Sequence, residues 1–249
     1  MVNAVYRFTI NNKAHEFEMI PVEGTNGRSF LFGTGGEKQP IHIKDFFIAK
    51  YPVTQALWRY VMAEDESRFR FKEDENPAEH VSWNDITDKG GFLDRVNKGD
   101  ILQEIRKQLP GKTKAMFRLP SETEWEYAAR GGDNWASNLI FSGSNNADEV
   151  VWYEKNSGKH TWPVGQKAAN QLGIHDMCGN VWEWCQDSFV SDTGFIPKDG
   201  TPYAGKSNDR ILRGGCHHNG AVHCTATKRY EIISSAADEC IGFRLALSF

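Results

Sequence analysis

The 249-residue sequence lacks any long apolar run. Hydrophobic residues make up 39% of it, and no stretch approaches the roughly 18 consecutive apolar residues of a spanning helix, so no membrane-spanning segment is expected. It lacks an excess of either charge. With 29 Lys and Arg against 33 Asp and Glu, the net charge of -4 gives no electrostatic footprint for nucleic acid, and no nucleic-acid partner is expected. It lacks Cys-x-x-Cys pairs, since its five cysteines (178, 185, 216, 224 and 240) stand singly. An odd number leaves at least one thiol outside any intrachain disulfide. The start, MVNAVYRFTINNKAHEFEMIPV, lacks a basic segment followed by an apolar one, so no secretory signal is read there. Repeats, low-complexity tracts and linker-like shifts in composition are missing too, which points to a single domain over 1–249. What is abundant is glycine (23) and tryptophan (8), with aromatics at 12%, enough to build a core and exclude disorder. That mixture suits a loop-rich fold with large flat anchors better than a helical bundle.

Helical patterning is sparse and lies mainly in the first half. Residues 53–63 (VTQALWRYVMA) put Leu57, Trp58, Val61 and Met62 on one face, with Thr54 as N-cap. SWNDI pairs Ser82 with Asp85 in a variant of the capping pattern. Gly90-Gly91 then interrupts, and a helix resumes around Phe92, Leu93 and Val96. In LPSETEWEYAARGG, Ser121 and Glu124 form a capping box, and Gly131 supplies a left-handed stop. Capping accounts for the Ser121–Glu124 spacing, so no acid–base role is assigned to it. YRFTI and HEFEMIPV read as strands. GFRLALSF alternates Phe243, Leu245 and Leu247 against Arg244, Ala246 and Ser248, the pattern of a half-buried strand. The two termini are expected in one sheet, and 133–148 and 187–210 read as ordered loops. The class is α+β, with few helices, short strands and much irregular loop.

Six segments follow one another in order: KYPVTQALWRYVM (50–62), NPAEHVSWNDI (76–86), FRLPSETEWEYAARGG (117–132), LGIHDMCGNVWEWCQD (172–187), RILRGGC (210–216) and GFRLAL (242–247). This order resembles the formylglycine-generating-enzyme or sulfatase-modifying-factor family over roughly residues 18–249. The resemblance implies a variant of the C-type lectin fold. That fold hosts oxidases, sulfoxide synthases and pure ligand binders, so it does not choose among them. Arg118, Arg213 and Arg244 stand beside apolar residues in these motifs and read as structural guanidinium groups satisfied by carboxylates or carbonyls. The Gly214-Gly215 pair is too short for a phosphate-cradling loop and has no Lys-Ser after it.

In HDMCGNVWEW, two carboxylates bracket a glycine turn. Hard cations take six to eight oxygens, mixing carboxylates with backbone carbonyls. The family binds calcium here, and the resemblance transfers its ligands to Asp176, the Gly179 and Val181 carbonyls, and Glu183. The alternative is that Glu183 caps a turn without metal. Trp182 and Trp184 are core anchors in either case.

The oxidases of the family carry a copper-binding cysteine pair, five residues apart, after the two glycines. Here those positions hold Asn219 and Cys224, and a neutral amide cannot replace a thiolate. An oxidase would have to use Cys224 with a neighbouring metal ligand among His217, His218 and His223. Adjacent His217 and His218 on a strand would face opposite ways, and loop exposure is the expectation for these imidazoles.

The stretch 213–242 also resembles the variable region of diversity-generating-retroelement proteins, which share the lectin-like fold. Their pattern fixes Arg213, Gly214, Gly215, Ala221, Cys224, Arg229, Ile241, Gly242, Phe243 and Arg244. Adenine-directed mutagenesis of asparagine codons yields the residue types found at 216–220, 223, 225, 230 and 232–238, whereas Lys228, Glu231 and Glu239 are out of its reach. The resemblance implies a non-enzymatic, receptor- or adhesin-type binder that uses Cys216, His217, His218, Asn219, Gly220, His223, Thr225, Tyr230, Glu231, Ile232, Ile233 and Asp238. Tyr230, Ile232 and Ile233 would give apolar contact area, and the histidines and Glu231 directional polar contacts. The expected partner is a protein met by a monomer, at the cell surface if an export segment has been removed. A partner subunit with a degenerate site is a third reading.

Overall fold

The first two strands, β1 (Ala4–Ile10) and β2 (Lys13–Val22), form a hairpin. Its two-residue turn, Asn11-Asn12, has φ of 50° and 61°, the left-handed pair that matches strand twist. A computed structural model describes residues 3–34, 38–64, 67–109 and 111–249; the first two residues of the stretch read for an export signal lie outside that set. β2 pairs with β5 (Phe46–Ala49), β5 with β11 (Ala246–Ser248), and β11 with β6 (Met116–Arg118), all antiparallel. Both termini therefore share one five-stranded sheet. β3 (Phe30–Phe32) and β4 (Gln39–Ile41) form a small ribbon. The second main sheet runs β10-β7-β8-β9, from β7 (Trp182–Ser188), β8 (Asp209–Arg213), β9 (Arg229–Ile233) and β10 (Ile241–Gly242). β9 pairs only with β8 and is an edge.

The helices are α1 (Gln55–Met62), α2 (Trp83–Thr87), α3 (Phe92–Val96), α4 (Asp100–Gln108), α5 (Glu122–Ala129) and α6 (Ala147–Val150). Thr54 caps α1, and both capping boxes close, Ser82 with Asp85 and Ser121 with Glu124. Gly131 leaves α5 at φ 82°. The helix α4, with Ile101, Leu102 and Ile105 buried, was not expected from the sequence. The C-terminal alternation is corrected as well. β10 and β11 are separated at 243–245, and residues of both parities are buried. The reason is Arg244, which turns inward to reach Glu183. Among the described residues no helix is long and apolar enough to cross a membrane.

One core packs Trp58, Phe92 and Phe243 with Trp184, the Trp58 and Phe92 rings stacked at 5.4 Å. The other gathers Phe30, Phe32, Trp125 and Tyr127 around α5. That helix is buried on every side, so its acidic residues need partners. Arg213 supplies them, donating to Glu122 at 3.1 Å and Glu126 at 2.7 Å, and Arg229 adds two bonds to Glu122.

Candidate functional site

The site is built on the turn 176–180. Asp176, Gly179 and Asn180 all have positive φ, 56°, 79° and 65°. A Cβ on Gly179 would lie 2.3 Å from the Trp152 carbonyl oxygen, so glycine is required there. The Asn180 side chain brackets Trp162, accepting from its N–H at 3.1 Å and donating to its carbonyl at 3.0 Å. Its own carbonyl is thereby fixed as an acceptor for His217.

Asp176 and Glu183 are both buried. Asp176 accepts from Gly165 N at 2.7 Å, while burial pushes its carboxyl above the usual carboxylate range. Glu183 Oε2 accepts from Arg244 Nε and from Trp125 Nε1, each at 2.6 Å, and Oε1 accepts from Arg244 Nη2 at 2.7 Å. Carboxylates and carbonyls are the right donors for a hard cation. However, Glu183 keeps a lone pair to spare only on Oε1, so an ion here would share the carboxylate with Arg244. Trp182 and Trp184 are core residues, and Trp184 donates to the Val81 carbonyl at 2.9 Å.

After β8 the chain turns at Gly214 and Gly215, with φ of 95° and 76°, and enters the stretch 216–240. The structure divides this stretch sharply. Cys224 within it, and Arg213, Phe243 and Arg244 at its flanks, are fully buried. His218, Val222, His223, Tyr230, Glu231, Ile233 and Asp238 are exposed.

A cleft of about 400 Å³ opens beside β9. Trp182, Leu212 and Ile241 line it from the scaffold, and Cys216, Asn219, His223, Lys228, Tyr230, Ile232, Asp238 and Cys240 from the 216–240 stretch. Tyr230 stacks on Trp182 at 5.5 Å, so the cleft has an aromatic wall. Lys228 and Asp238 bring both charge signs to it.

Several expectations need correcting. Cys216 and His217 are not surface contacts, being 1% and 0% exposed. The backbone bond from His217 N to Asn180 O at 3.0 Å pulls this turn inward. His217 and His218 lie in a turn, not a strand, with their rings 4.5 Å apart; one is buried and the other exposed. The segment 229–233, which shows no clean period, is a strand. Its alternation places Tyr230 and Ile232 at the cleft, away from Glu231 and Ile233, so the three apolar residues do not share one face. Thr225 lines a separate concavity with Ile140 and Arg130. Gly220 is half-buried beside the turn, and a Cβ there would lie 3.9 Å from the Glu154 carboxylate.

Cys224 is fully buried and outside the cleft, its Sγ 3.7 Å from the Cys216 carbonyl. Burial holds its thiol well above the usual thiol range. Asn219, in the other cysteine's place, accepts from Cys216 N at 3.0 Å. A pairing missed in the sequence is Cys216 with Cys240. A hydrogen bond to Cys216, together with burial, holds the Cys240 thiol well above the usual range. The 24-residue separation hides this contact from any local pattern.

Residues 11–249 match the sulfatase-modifying factor enzyme 1-like domain. The chain belongs to that family. It is 37% identical to the chaperone protein LppX of Paenibacillus barcinonensis over 216 residues, covering 71% of this chain and 74% of that protein. It is 31% identical to the formylglycine-generating enzyme of Mus musculus over 245 residues, covering 88% of this chain but 58% of the mouse protein's length. Among solved structures, Treponema denticola variable protein 1 superposes with a TM-score of 0.78 at 26% identity, covering 97% of this chain and 98% of that one. The family member thus has the lectin-like fold of variable proteins, and its short strands and few helices fit both groups.

Proposed function

We propose that this family member is a non-enzymatic binding protein of receptor or adhesin type, and that the cleft and the exposed loops of 216–240 engage a protein ligand. The carrying observation is the division within 213–244. The positions that the variable-region pattern fixes are buried except for the half-buried Ala221 and Arg229, and they form a hydrogen-bonded frame, with Arg213 and Arg229 on Glu122 and Arg244 on Glu183. Most positions it leaves free project from that frame. A rigid scaffold carrying unconstrained side chains is the arrangement of binding loops in general. Diversification of these positions by a retroelement is part of the proposal, as is action as a monomer at a cell surface. The likeness to a protein named as variable supports it.

Sequencing the 213–242 coding region across a population tests the reading. Changes concentrated at adenines of the exposed positions are expected. Identical sequences in every isolate would end the diversification proposal.

The oxidase reading through Cys224 has the relationship to the mouse enzyme in its favour. Against it stand the missing partner at Asn219 and the burial of Cys224. Oxygen uptake with a cysteine-containing peptide and copper is expected at background level. Uptake abolished by Cys224→Ser would restore the enzyme.

Calcium at Asp176, the Gly179 and Val181 carbonyls and Glu183 Oε1 is proposed as a structural ion. Because it would bind only the folded chain, a chelator is expected to lower Tm. No shift with chelator would remove the site.

A further inference from the structure

One chemically coherent cluster is left over. The Cys216 and Cys240 sulfurs and a ring nitrogen of His217 all lie within 4.8 Å of one another, a single such group among the described residues. His217 is fully buried, and its Nδ1–H donates to the Asn180 carbonyl at 2.9 Å. A neutral imidazole that donates from Nδ1 carries its lone pair on Nε2. That Nε2 is buried and has no hydrogen-bond partner. A backbone carbonyl behind the ring is also the usual outer partner of a metal-bound histidine.

The surroundings hold all three residues in place. Ser157 Oγ donates to the His217 carbonyl at 2.8 Å, and the Phe71 ring stands edge-on to the imidazole at 5.5 Å. Cys216 N donates to Asn219 Oδ1 and Cys240 N to Asp238 Oδ1. Both sulfur-bearing residues line the cleft and Cys240 is only half-buried, so the group borders the cleft on that side. Two thiolates and one imidazole with a fourth position free is a known zinc set. A disulfide between the sulfurs would need an oxidant and would leave Nε2 orphaned. These are also not the two positions at which the family's oxidases carry cysteine, which here hold Asn219 and Cys224.

We propose that Cys216, His217 and Cys240 bind one Zn²⁺, with its fourth coordination position facing the cleft. Binding forms two Zn–S bonds and one Zn–N bond and releases the two thiol protons, with no change of oxidation state. The ion would tie the start of the 216–240 stretch to its end. The proposal stands on these three residues and does not depend on the chain having a protein ligand.

The test is a zinc titration of the reduced full chain, with Co²⁺ as spectroscopic probe. One equivalent should bind, and cobalt should give thiolate charge-transfer absorption. Cys216→Ser and Cys240→Ser should each weaken zinc at least about 100-fold, since losing an outer-shell partner alone costs up to that. His217→Cys should keep zinc, since a thiolate in place of the imidazole is also a zinc ligand, which separates ligation from folding damage. Cys224→Ser and His218→Ala should bind as the wild type does. Zinc held no tighter by the wild type than by the Cys216→Ser, Cys240→Ser double variant would overturn the proposal. So would cobalt binding without thiolate absorption, or loss of zinc in Cys224→Ser.

Discussion

Glu183 and Arg244 carry opposite charges with no exposed surface; Glu183 takes two of its three hydrogen bonds from Arg244, and Arg244 gives two of its four to Glu183. Removing one partner from such a pair strands the other in a low-dielectric interior, which costs about 3–5 kcal/mol. Glu183→Ala, which also frees Trp125 Nε1, is therefore expected to lose about that much in urea unfolding done with chelator present. A loss within experimental error would mean that the pair is not structural. Asp187 makes a different prediction. Burial, with Glu122 nearby, pushes its carboxyl up to about 7. The folded state then keeps a proton that the unfolded chain gives up near pH 4. Stability from this group is present at low pH and falls as pH rises from about 4 to about 7. Subtracting the pH profile of Asp187→Asn should reveal that slope, and parallel profiles would refute it. The structural arginines were legible from their apolar neighbours. The partners were not, because Glu122 lies 91 residues from Arg213 and Glu183 lies 61 from Arg244.

At the scale of elements, local chemistry specified what it could reach. The three capped helix starts at Thr54, Ser82 and Ser121 follow from hydroxyls three residues before the N–H they accept, and the structure has all three. β9 was illegible because its register is set by β8 and by the Arg229–Glu122 pair, not by a buried face of its own. The split of His217 from His218 depends on a carbonyl 37 residues away, at Asn180. The turn that starts the loop is equally constrained. Gly215 has φ 76°, and a Cβ there would sit 2.6 Å from Cys224 Sγ and 2.7 Å from the His223 carbonyl oxygen. Gly215→Ala is expected to cost more than the 1–3 kcal/mol or so of backbone strain alone in urea unfolding. A variant as stable as the wild type would show that the turn relaxes freely. By contrast, Ile233→Ser on the exposed edge should fall within about 0.5 kcal/mol of wild type.

For the whole molecule, the two sheets and the buried carboxylate–arginine frame hold one rim of loops in a fixed place. The lectin-like fold and the family were legible from six ordered motifs. The cleft was not, since it joins Trp182 to Tyr230 and Cys216 to Cys240 across the chain. On the proposed function, this frame tolerates free choice of the rim and turns it into a protein-binding surface. The direct measurement displays the chain with His218, Asn219, His223, Tyr230, Ile232 and Asp238 randomised and selects for binding to one purified protein, such as lysozyme. Most members are expected to fold with Tm near wild type, and selection is expected to yield binders whose affinity resides in the randomised positions. A library that mostly fails to fold, or that folds and yields no binder, would contradict it.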